Sequence, residues 1–143
     1  MPTIHFVSAS DGTPLTKRFD IQQGQLVKEP YPQVAMVTSH TVDVTDIEDF
    51  YTYVTMHASY GHCLLKGQLD RPLVNESRAG HTNSDTPTEW MVLDNDHLHD
   101  LEPQALMDLL GLGDVDYIVQ YSASAGIVPG KMGYHLPLPE VLR

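Results

Sequence analysis

The stretch Trp90–Asp96 constrains the fold of this chain more than any other, because an apolar run ends there in two carboxylates separated by one residue. The apolar part, Trp90 to Leu93, is typical of a buried strand. Side chains alternate across a strand, so Asp94 and Asp96 are expected on the same side, with Cα atoms roughly 6.5 Å apart. That spacing suits two carboxylates that converge on one divalent ion, or that share a pair of ions about 3.5–4 Å apart. We therefore predict that both acids lie at the end of a central strand and form the functional centre.

Short strands dominate the rest of the chain, which predicts an α+β fold with few helices and a mostly antiparallel sheet. The predicted strands share apolar or β-branched residues and end in turn residues. They cover residues 3–8, 34–39, 62–65, 117–124 and 133–136, and a hairpin joins 17–21 to 25–28. In the strand over 117–124, alternation places Gln120, Ser122 and Ser124 on one face.

Two helices are expected. The first follows a capping box of Thr45 and Glu48, continues to about Ser59 and ends at Gly61. Its predicted apolar face consists of residues at three- and four-residue spacing, namely Ile47, Phe50, Tyr51, Val54 and Ala58. The second helix starts with Pro103 in its first turn. Its predicted apolar face is formed by Leu106, Leu109 and Leu110.

The length and the charge restrict the classes of function. A chain of 143 residues suits a single domain over residues 1–143. The formal net charge is −11, from 19 acidic against 8 basic residues, so the surface repels phosphate backbones and the chain alone is not expected to grip DNA. Such a surface still permits a small nucleotide neutralised by metal ions, and it also serves solubility.

The single cysteine and the lack of long apolar runs set the expected compartment. Cys63 excludes an internal disulfide and a CxxC-type zinc site, and its apolar neighbours predict a buried structural thiol. No apolar run approaches the roughly 18 residues that span a bilayer, and the N-terminus lacks the pattern of a signal peptide. We expect a cytoplasmic protein that does not associate with membranes.

The candidate chemistry follows from the order of the elements after residue 69. A long polar segment, Leu69 to Thr88, leads into the acidic strand, and loops of this length are often functional. A helix, a strand with serines, a turn and a strand with His135 follow. Two acids suit a divalent metal, whereas hydroxyls, a lysine and a histidine suit phosphate oxygens, which is the equipment of phosphoryl or nucleotidyl transfer.

These motifs resemble those of the archaeo-eukaryotic primase superfamily. Trp90–Asp96 resembles its first motif, a hydrophobic strand that ends in Asp-x-Asp. Tyr117–Gly126, followed by Gly133–Leu136, resembles its second motif, a serine followed by a histidine. Lys66–Leu69 and Asn75–Gly80 resemble the corresponding segments of phage and plasmid primase-polymerase proteins. The resemblance covers about residues 60 to 136.

The resemblance implies a primase-polymerase catalytic core of RRM-like type in a phage or plasmid replication protein. It implies Mg²⁺ or Mn²⁺ as cofactor, nucleoside triphosphates as substrates, a DNA template bound through a longer protein, and a fused or associated helicase. The implied metal ligands are Asp94 and Asp96, which with His135 are the implied catalytic residues. The implied nucleotide-binding residues are Ser122, Ser124, Lys131, His135 and Arg78.

Several features depart from the family pattern. Asn95 stands where a hydrophobic residue is usual, and His97 stands where a small residue is common. The gap from Ser124 to His135 is long, and Glu140 is a poor candidate for the third acid of the family. The sequence is therefore expected to be the N-terminal part of a longer protein or a degenerate copy. The alternative is a non-catalytic nucleotide-binding or assembly module of a replication protein.

Other interpretations of single residues remain open at this point. His135 also fits a hydrogen-bonded core histidine, and Ser122 and Ser124 fit ordinary turn serines. Lys131 fits a solvated loop residue, and Arg78 fits an ion pair with Glu76 or Asp85. His97 and His99, beside the acids, form an alternative metal cluster or a polar loop. A metal-dependent glycosyltransferase also uses Asp-x-Asp, but the strand-rich N-terminus argues against that class.

Overall fold

The computed structural model of the chain describes residues 2–83, 86–127 and 133–138. These residues form an α+β fold with small antiparallel sheets, so the predicted fold class is confirmed at this level. The two helices that they contain are α1 (Ile47–Ser59) and α2 (Pro103–Leu109). Their strands are β1 (Thr3–Ala9), β2 (Phe19–Gln22), β3 (Gln25–Lys28), β4 (Val37–Asp43), β5 (Cys63–Leu64), β6 (Gln68–Leu69), β7 (Thr82–Asn83), β8 (Met91–Asn95), β9 (Gln120–Tyr121) and β10 (Tyr134–Leu138). Within the described ranges, no helix is both long and apolar enough to cross a membrane.

The described residues group into two compact units. Residues 2, 44–51 and those from 88 onward form the first unit, and residues 3–43 and 52–87 form the second. The chain enters each unit more than once, and α1 contributes residues to both. The prediction of a single domain over residues 1–143 stays a prediction.

The second unit is built on a three-stranded antiparallel sheet of order β4-β1-β5. Its register runs from Thr3 opposite Asp43 to Ala9 opposite Val37. The strand predicted for residues 3–8 is confirmed, but the strand predicted for 34–39 is wrong by about three residues. The reason is that β1 pairs with β4 along its whole length, so the partner strand rather than local propensity sets the bounds of β4. The core beneath this sheet contains Val7, Val37, Leu65 and Leu73.

Two small ladders complete the second unit. Strands β2 and β3 form the predicted hairpin, but the first strand covers Phe19–Gln22 instead of residues 17–21. Gln23 and Gly24 both take positive φ values, 52° and 75°, in the two-residue turn. Positive φ at both central positions is typical of a type I′ turn, whose twist matches the twist of the two strands that it joins. The predicted loop from Leu69 to Thr88 contains a short ladder between β6 and β7.

Helix α1 has the predicted length but a different cap. The Asp49 amide donates to Asp46 Oδ1 at 2.8 Å, and the Thr45 amide donates to Asp49 Oδ2 at 3.1 Å. Asp46 therefore caps the helix in place of the predicted Thr45, and Asp49 in place of the predicted Glu48 reaches back, to the Thr45 amide. Aspartate caps at least as well as threonine, so the sequence allowed either register.

The buried face of α1 is also rotated from the prediction. Phe50, Val54 and His57 are buried, whereas Tyr51 and Ala58 are exposed. Residues advance by about 100° along a helix, so a stripe centred on positions 50, 54 and 57 leaves 51 and 58 to one side. A histidine thus takes the place that the pattern assigned to Ala58.

The first unit contains a three-stranded antiparallel sheet of order β8-β10-β9. The acidic strand β8 therefore lies at the edge of this sheet of described strands, and the prediction of a central position is wrong. The strand starts at Met91, so Trp90 precedes it, and residues 91–93 are half-buried rather than buried. Met91 and Leu93 pack against a core of Met107, Tyr134 and Leu136, as alternation along a strand requires.

Helix α2 begins at Pro103 as predicted but buries a different residue. Met107 is fully buried, Leu106 is half-buried, and Leu109 and Leu110 are exposed by 75% and 51%. The predicted apolar face is therefore wrong for both of the last two leucines. A helix of about two turns presents a single narrow stripe to its core, and here the stripe is centred on Met107.

Candidate functional site

The centre of the candidate site is a contact between strands β8 and β10. His135 lies directly opposite Asp94 in the antiparallel register, and His135 Nε2 lies 3.2 Å from Asp94 Oδ1. The side chains are 30% and 40% exposed, so both can reach solvent and a ligand. The alternative of His135 as a buried core histidine does not fit this exposure. The structure thus brings together the two residues that the motif order predicted to meet.

Asp96 is the second predicted metal ligand, and it lies just beyond the end of β8. It is exposed like Asp94, while the intervening Asn95 is buried, which agrees with the predicted placement of the two acids on one side. A Cβ atom at Gly133 would lie 3.5 Å from Asp96 Oδ1 and 3.1 Å from Ser122 Oγ. The Asn95 carbonyl oxygen would lie closer still, at 3.0 Å, so glycine at position 133 leaves room for that carbonyl and for Ser122 Oγ, while Asp96 Oδ1 lies at an ordinary contact distance.

The serines are positioned differently from the prediction. The strand predicted over 117–124 is reduced to β9, so Gln120, Ser122 and Ser124 do not share a strand face. Ser122 donates to the Gly133 carbonyl through its amide at 2.9 Å and through its hydroxyl at 3.0 Å. Ser124 lies in the turn that follows, where its carbonyl accepts from Ile127. Of the two serines, Ser122 is the one that lies against Gly133, beside Asp96.

Asn95 is the residue whose role the sequence did not reveal. Its Oδ1 accepts from the Leu98 amide at 2.9 Å, and its Nδ2 donates to the Leu98 carbonyl at 3.0 Å. The buried amide thereby closes the turn after β8 and fixes the backbone from which Asp94 and Asp96 project. The signal was present, because asparagine side chains bond to nearby backbone groups and so end regular structure.

The structure does not test the predicted roles of the basic residues. Arg78 belongs to the second unit and is exposed. Its predicted alternative partner Glu76 pairs with Arg71 instead. Lys131 and Asp85 lie outside the described residues. The roles of Arg78 and Lys131 stay predictions.

Asp94 and Asp96 are the side chains of this site whose chemistry suits a divalent metal. Within residues 2–83, 86–127 and 133–138, no group of three or more His, Cys, Asp or Glu side chains is arranged to hold a metal ion, and this includes the alternative cluster of His97 and His99. Mg²⁺ in nucleotide sites is often held by one or two carboxylates together with phosphate oxygens and water. Asp94 and Asp96 fit that kind of site, in which the nucleotide supplies the remaining ligands.

Comparisons of the chain with protein-family models, with curated proteins and with solved structures found no match.

Proposed function

We propose that this chain carries the nucleotide-binding part of a metal-dependent nucleotidyltransferase of the primase-polymerase kind. The observation that carries the proposal is the meeting of Asp94 with His135, with Asp96 and Ser122 beside Gly133. These are the residue types of the two motifs, and the residues of the second motif follow the acids by 26 to 41 positions in the sequence. An Asp-x-Asp pair without such partners would carry far less weight.

Each residue has a proposed role that follows from its chemistry. Asp94 and Asp96 hold Mg²⁺ or Mn²⁺, which would neutralise the triphosphate and favour attack of a 3′-hydroxyl on its α-phosphorus, with release of pyrophosphate. His135 donates to a phosphate oxygen once Asp94 has another partner. Ser122 holds the backbone at Gly133 through its amide and hydroxyl, which positions His135, two residues further along, opposite Asp94. Ser124, Lys131 and Arg78 remain proposed contacts of the nucleotide or template.

Nucleoside triphosphates are the proposed substrates, a DNA template is the proposed macromolecular partner, and a fused or associated helicase would supply single-stranded template. The net charge of −11 supports template binding through further protein rather than through this chain alone.

A second candidate is a non-catalytic nucleotide-binding or assembly module of a replication protein. The observation that favours it is that, among the described residues, no third acid joins Asp94 and Asp96. Two-metal transfer needs enough acidic ligands to order both ions. A site with two carboxylates suffices to hold a metal–nucleotide complex without completing the reaction.

The first experiment measures binding. A deoxynucleoside triphosphate is titrated into the chain by calorimetry with Mg²⁺, with Mn²⁺ and with EDTA. We expect metal-dependent binding that is lost in Asp94→Asn and in Asp96→Asn. The matched control is Asp116→Asn, which removes one exposed acid of the same unit and changes the net charge equally. Equal loss in the control, or unchanged binding in both site variants, would refute the proposed site.

The second experiment tests whether the 143-residue chain alone completes the reaction, which a non-catalytic module would not do. Primer extension is assayed with the 143-residue chain, Mn²⁺ and all four deoxynucleotides. We expect no extension, even though the calorimetry is expected to show metal-dependent binding. Extension that disappears in Asp96→Ala would show that the chain itself completes the catalytic site and would exclude the non-catalytic module. Extension that persists in both Asp94→Ala and Asp96→Ala would be assigned to a contaminating polymerase, and the preparation would be repeated.

A further inference from the structure

Three histidines of the second unit form a cluster that the proposed function does not use. His40 lies on β4, His57 lies in the last turn of α1, and His62 precedes β5. Their ring centroids are 4.6 Å apart for His40 and His62, 5.0 Å for His57 and His62, and 5.7 Å for His40 and His57. The histidine cluster therefore connects the C-terminal end of α1 to strand β4 and to the residues just before β5.

The contact between His57 and His62 limits how many protons the cluster can hold. His57 Nδ1 lies 2.8 Å from His62 Nδ1, which is a hydrogen bond. One ring must donate and the other must accept, so only one of these two nitrogens carries a proton. A singly protonated pair keeps the bond. When both rings are cationic, both nitrogens are donors and the contact is repulsive.

The surroundings of His57 also oppose a charge. The ring is buried and stacks on Phe6 of β1, with centroids 4.0 Å apart. Its titratable neighbours are His40 from β4, His62 from the loop and Tyr60 from the residues after the helix. The Ser8 hydroxyl contacts His40 Nε2 at 2.8 Å. Among the described residues, no ion pair with a carboxylate involves any of the three histidines.

The pKa values agree with this geometry. The pKa of His57 is lowered, first by burial and then by the positive charges that His62 and His40 would carry. The pKa of His62 is lowered by burial and by His40. The helix C-terminus favours a cation near His57, so burial and like charge outweigh the helix dipole there.

We propose that the histidine cluster is a proton-sensitive latch that holds the C-terminal part of α1, residues 52–59, on the β4-β1-β5 sheet, and that mild acid opens it. The direction of the pH dependence follows from the coupling between proton binding and opening of the latch. A histidine that stays neutral in the closed state binds its proton in the open state, so opening takes up protons and becomes easier as the pH falls below about 6.5. Above that pH both states are neutral and the latch is closed.

The test measures amide hydrogen exchange of residues 52–59 at pH 7.5 and at pH 5.5, in EDTA and corrected for the intrinsic exchange rate. We expect the protection factors in the wild type to fall by about 10-fold, since opening takes up at least one proton. His62→Gln keeps a hydrogen-bonding side chain but removes one of the titrating rings, so its protection factors should fall by less than those of the wild type. His97→Gln removes an exposed histidine of the other unit and should behave like the wild type.

Several results would overturn the latch. Protection that does not change with pH in the wild type would do so, as would equal behaviour of His62→Gln and His97→Gln. An equal loss of protection in β1 would indicate global unfolding instead of local opening. A measurement on the wild type alone covers the case in which His62→Gln does not fold: ¹⁵N correlation spectra at pH 7.5 should show a proton on Nδ1 of one ring of His57 and His62 only. Protons on Nε2 of both rings and on neither Nδ1 would exclude the hydrogen bond and the proposal.

Discussion

Replacement of Gly61 by alanine should be among the most damaging single-methyl changes in the second unit. Gly61 follows α1 with a φ of +74°, a left-handed conformation that side chains rarely adopt. A Cβ atom there would lie 2.9 Å from Pro14 Cβ and 3.0 Å from Pro14 Cα. The second of these atoms belongs to the backbone, so no side-chain rotation relieves the contact. The Gly61 carbonyl also accepts from the Leu15 amide at 2.8 Å, which holds the two segments together.

The magnitude is the sum of two separable terms. The left-handed conformation costs an alanine roughly 1–2 kcal/mol, and overpacking against a fixed neighbour costs roughly 1–3 kcal/mol. Gly61→Ala should therefore lower the free energy of unfolding by about 2–5 kcal/mol. Two controls isolate the terms. Gly12→Ala meets the conformational term alone, because its φ is +83° and nothing lies within 4 Å of the new Cβ. Gly67→Ala meets neither term and should be neutral or slightly stabilising.

The assay is urea denaturation of the wild type and the three alanine variants, followed by circular dichroism. The free energies of unfolding are compared between proteins whose m-values, the slopes of this free energy against urea concentration, are equal. The expected order of stability is Gly67→Ala, then Gly12→Ala, then Gly61→Ala. If Gly61→Ala and Gly12→Ala were equally stable, Pro14 would move away at no cost and the packing argument would be refuted. If Gly12→Ala matched Gly67→Ala, the left-handed conformation would carry no cost at that turn.

Three further predictions concern the core, the candidate site and the thiol. Met107→Ala should cost about 2–5 kcal/mol in urea denaturation because its side chain is fully buried, whereas Leu109→Ala, at a position that is 75% exposed, should change stability by less than about 0.5 kcal/mol. A double-mutant cycle of Asp94→Asn and His135→Gln should give a coupling energy below about 1 kcal/mol in the free energy of unfolding, since both side chains are partly exposed. A larger value would mean that the losses of binding in these variants reflect damaged folding. Burial raises the pKa of the Cys63 thiol, so its alkylation by iodoacetamide at pH 8 should be slower than that of glutathione and should accelerate in urea.

Local patterns were sufficient for the elements whose causes are local. The hairpin of β2 and β3, the start of α2 at Pro103 and the end of α1 before Gly61 follow from turn and cap preferences of a few adjacent residues. The same preferences failed where two neighbouring residues were equally good. The prediction chose Thr45 as the cap of α1, whereas the structure has Asp46, because the difference in capping energy between these residue types is small.

The buried faces of both helices depended on the partner surface. Apolar residues covered more than one stripe of α1 and α2, so periodicity alone admitted several rotations. Packing selected the stripe with His57 over that with Ala58, and it selected Met107 over Leu109. A helix buries the face that fits the surface opposite it, and that surface is assembled from distant parts of the chain.

The sequence by itself determined which residues carry the candidate chemistry: two carboxylates after a strand, then a serine, then a histidine. Only the tertiary structure decided that Asp94 meets His135, that Ser122 rather than Ser124 lies against Gly133, and that the acidic strand lies at the edge of the sheet formed by the described strands. The physical reason is strand register. Residue types and their alternation are properties of one strand, but a contact across 41 positions depends on how β8 and β10 align, and a shift by one residue would turn His135 to the other face of the sheet.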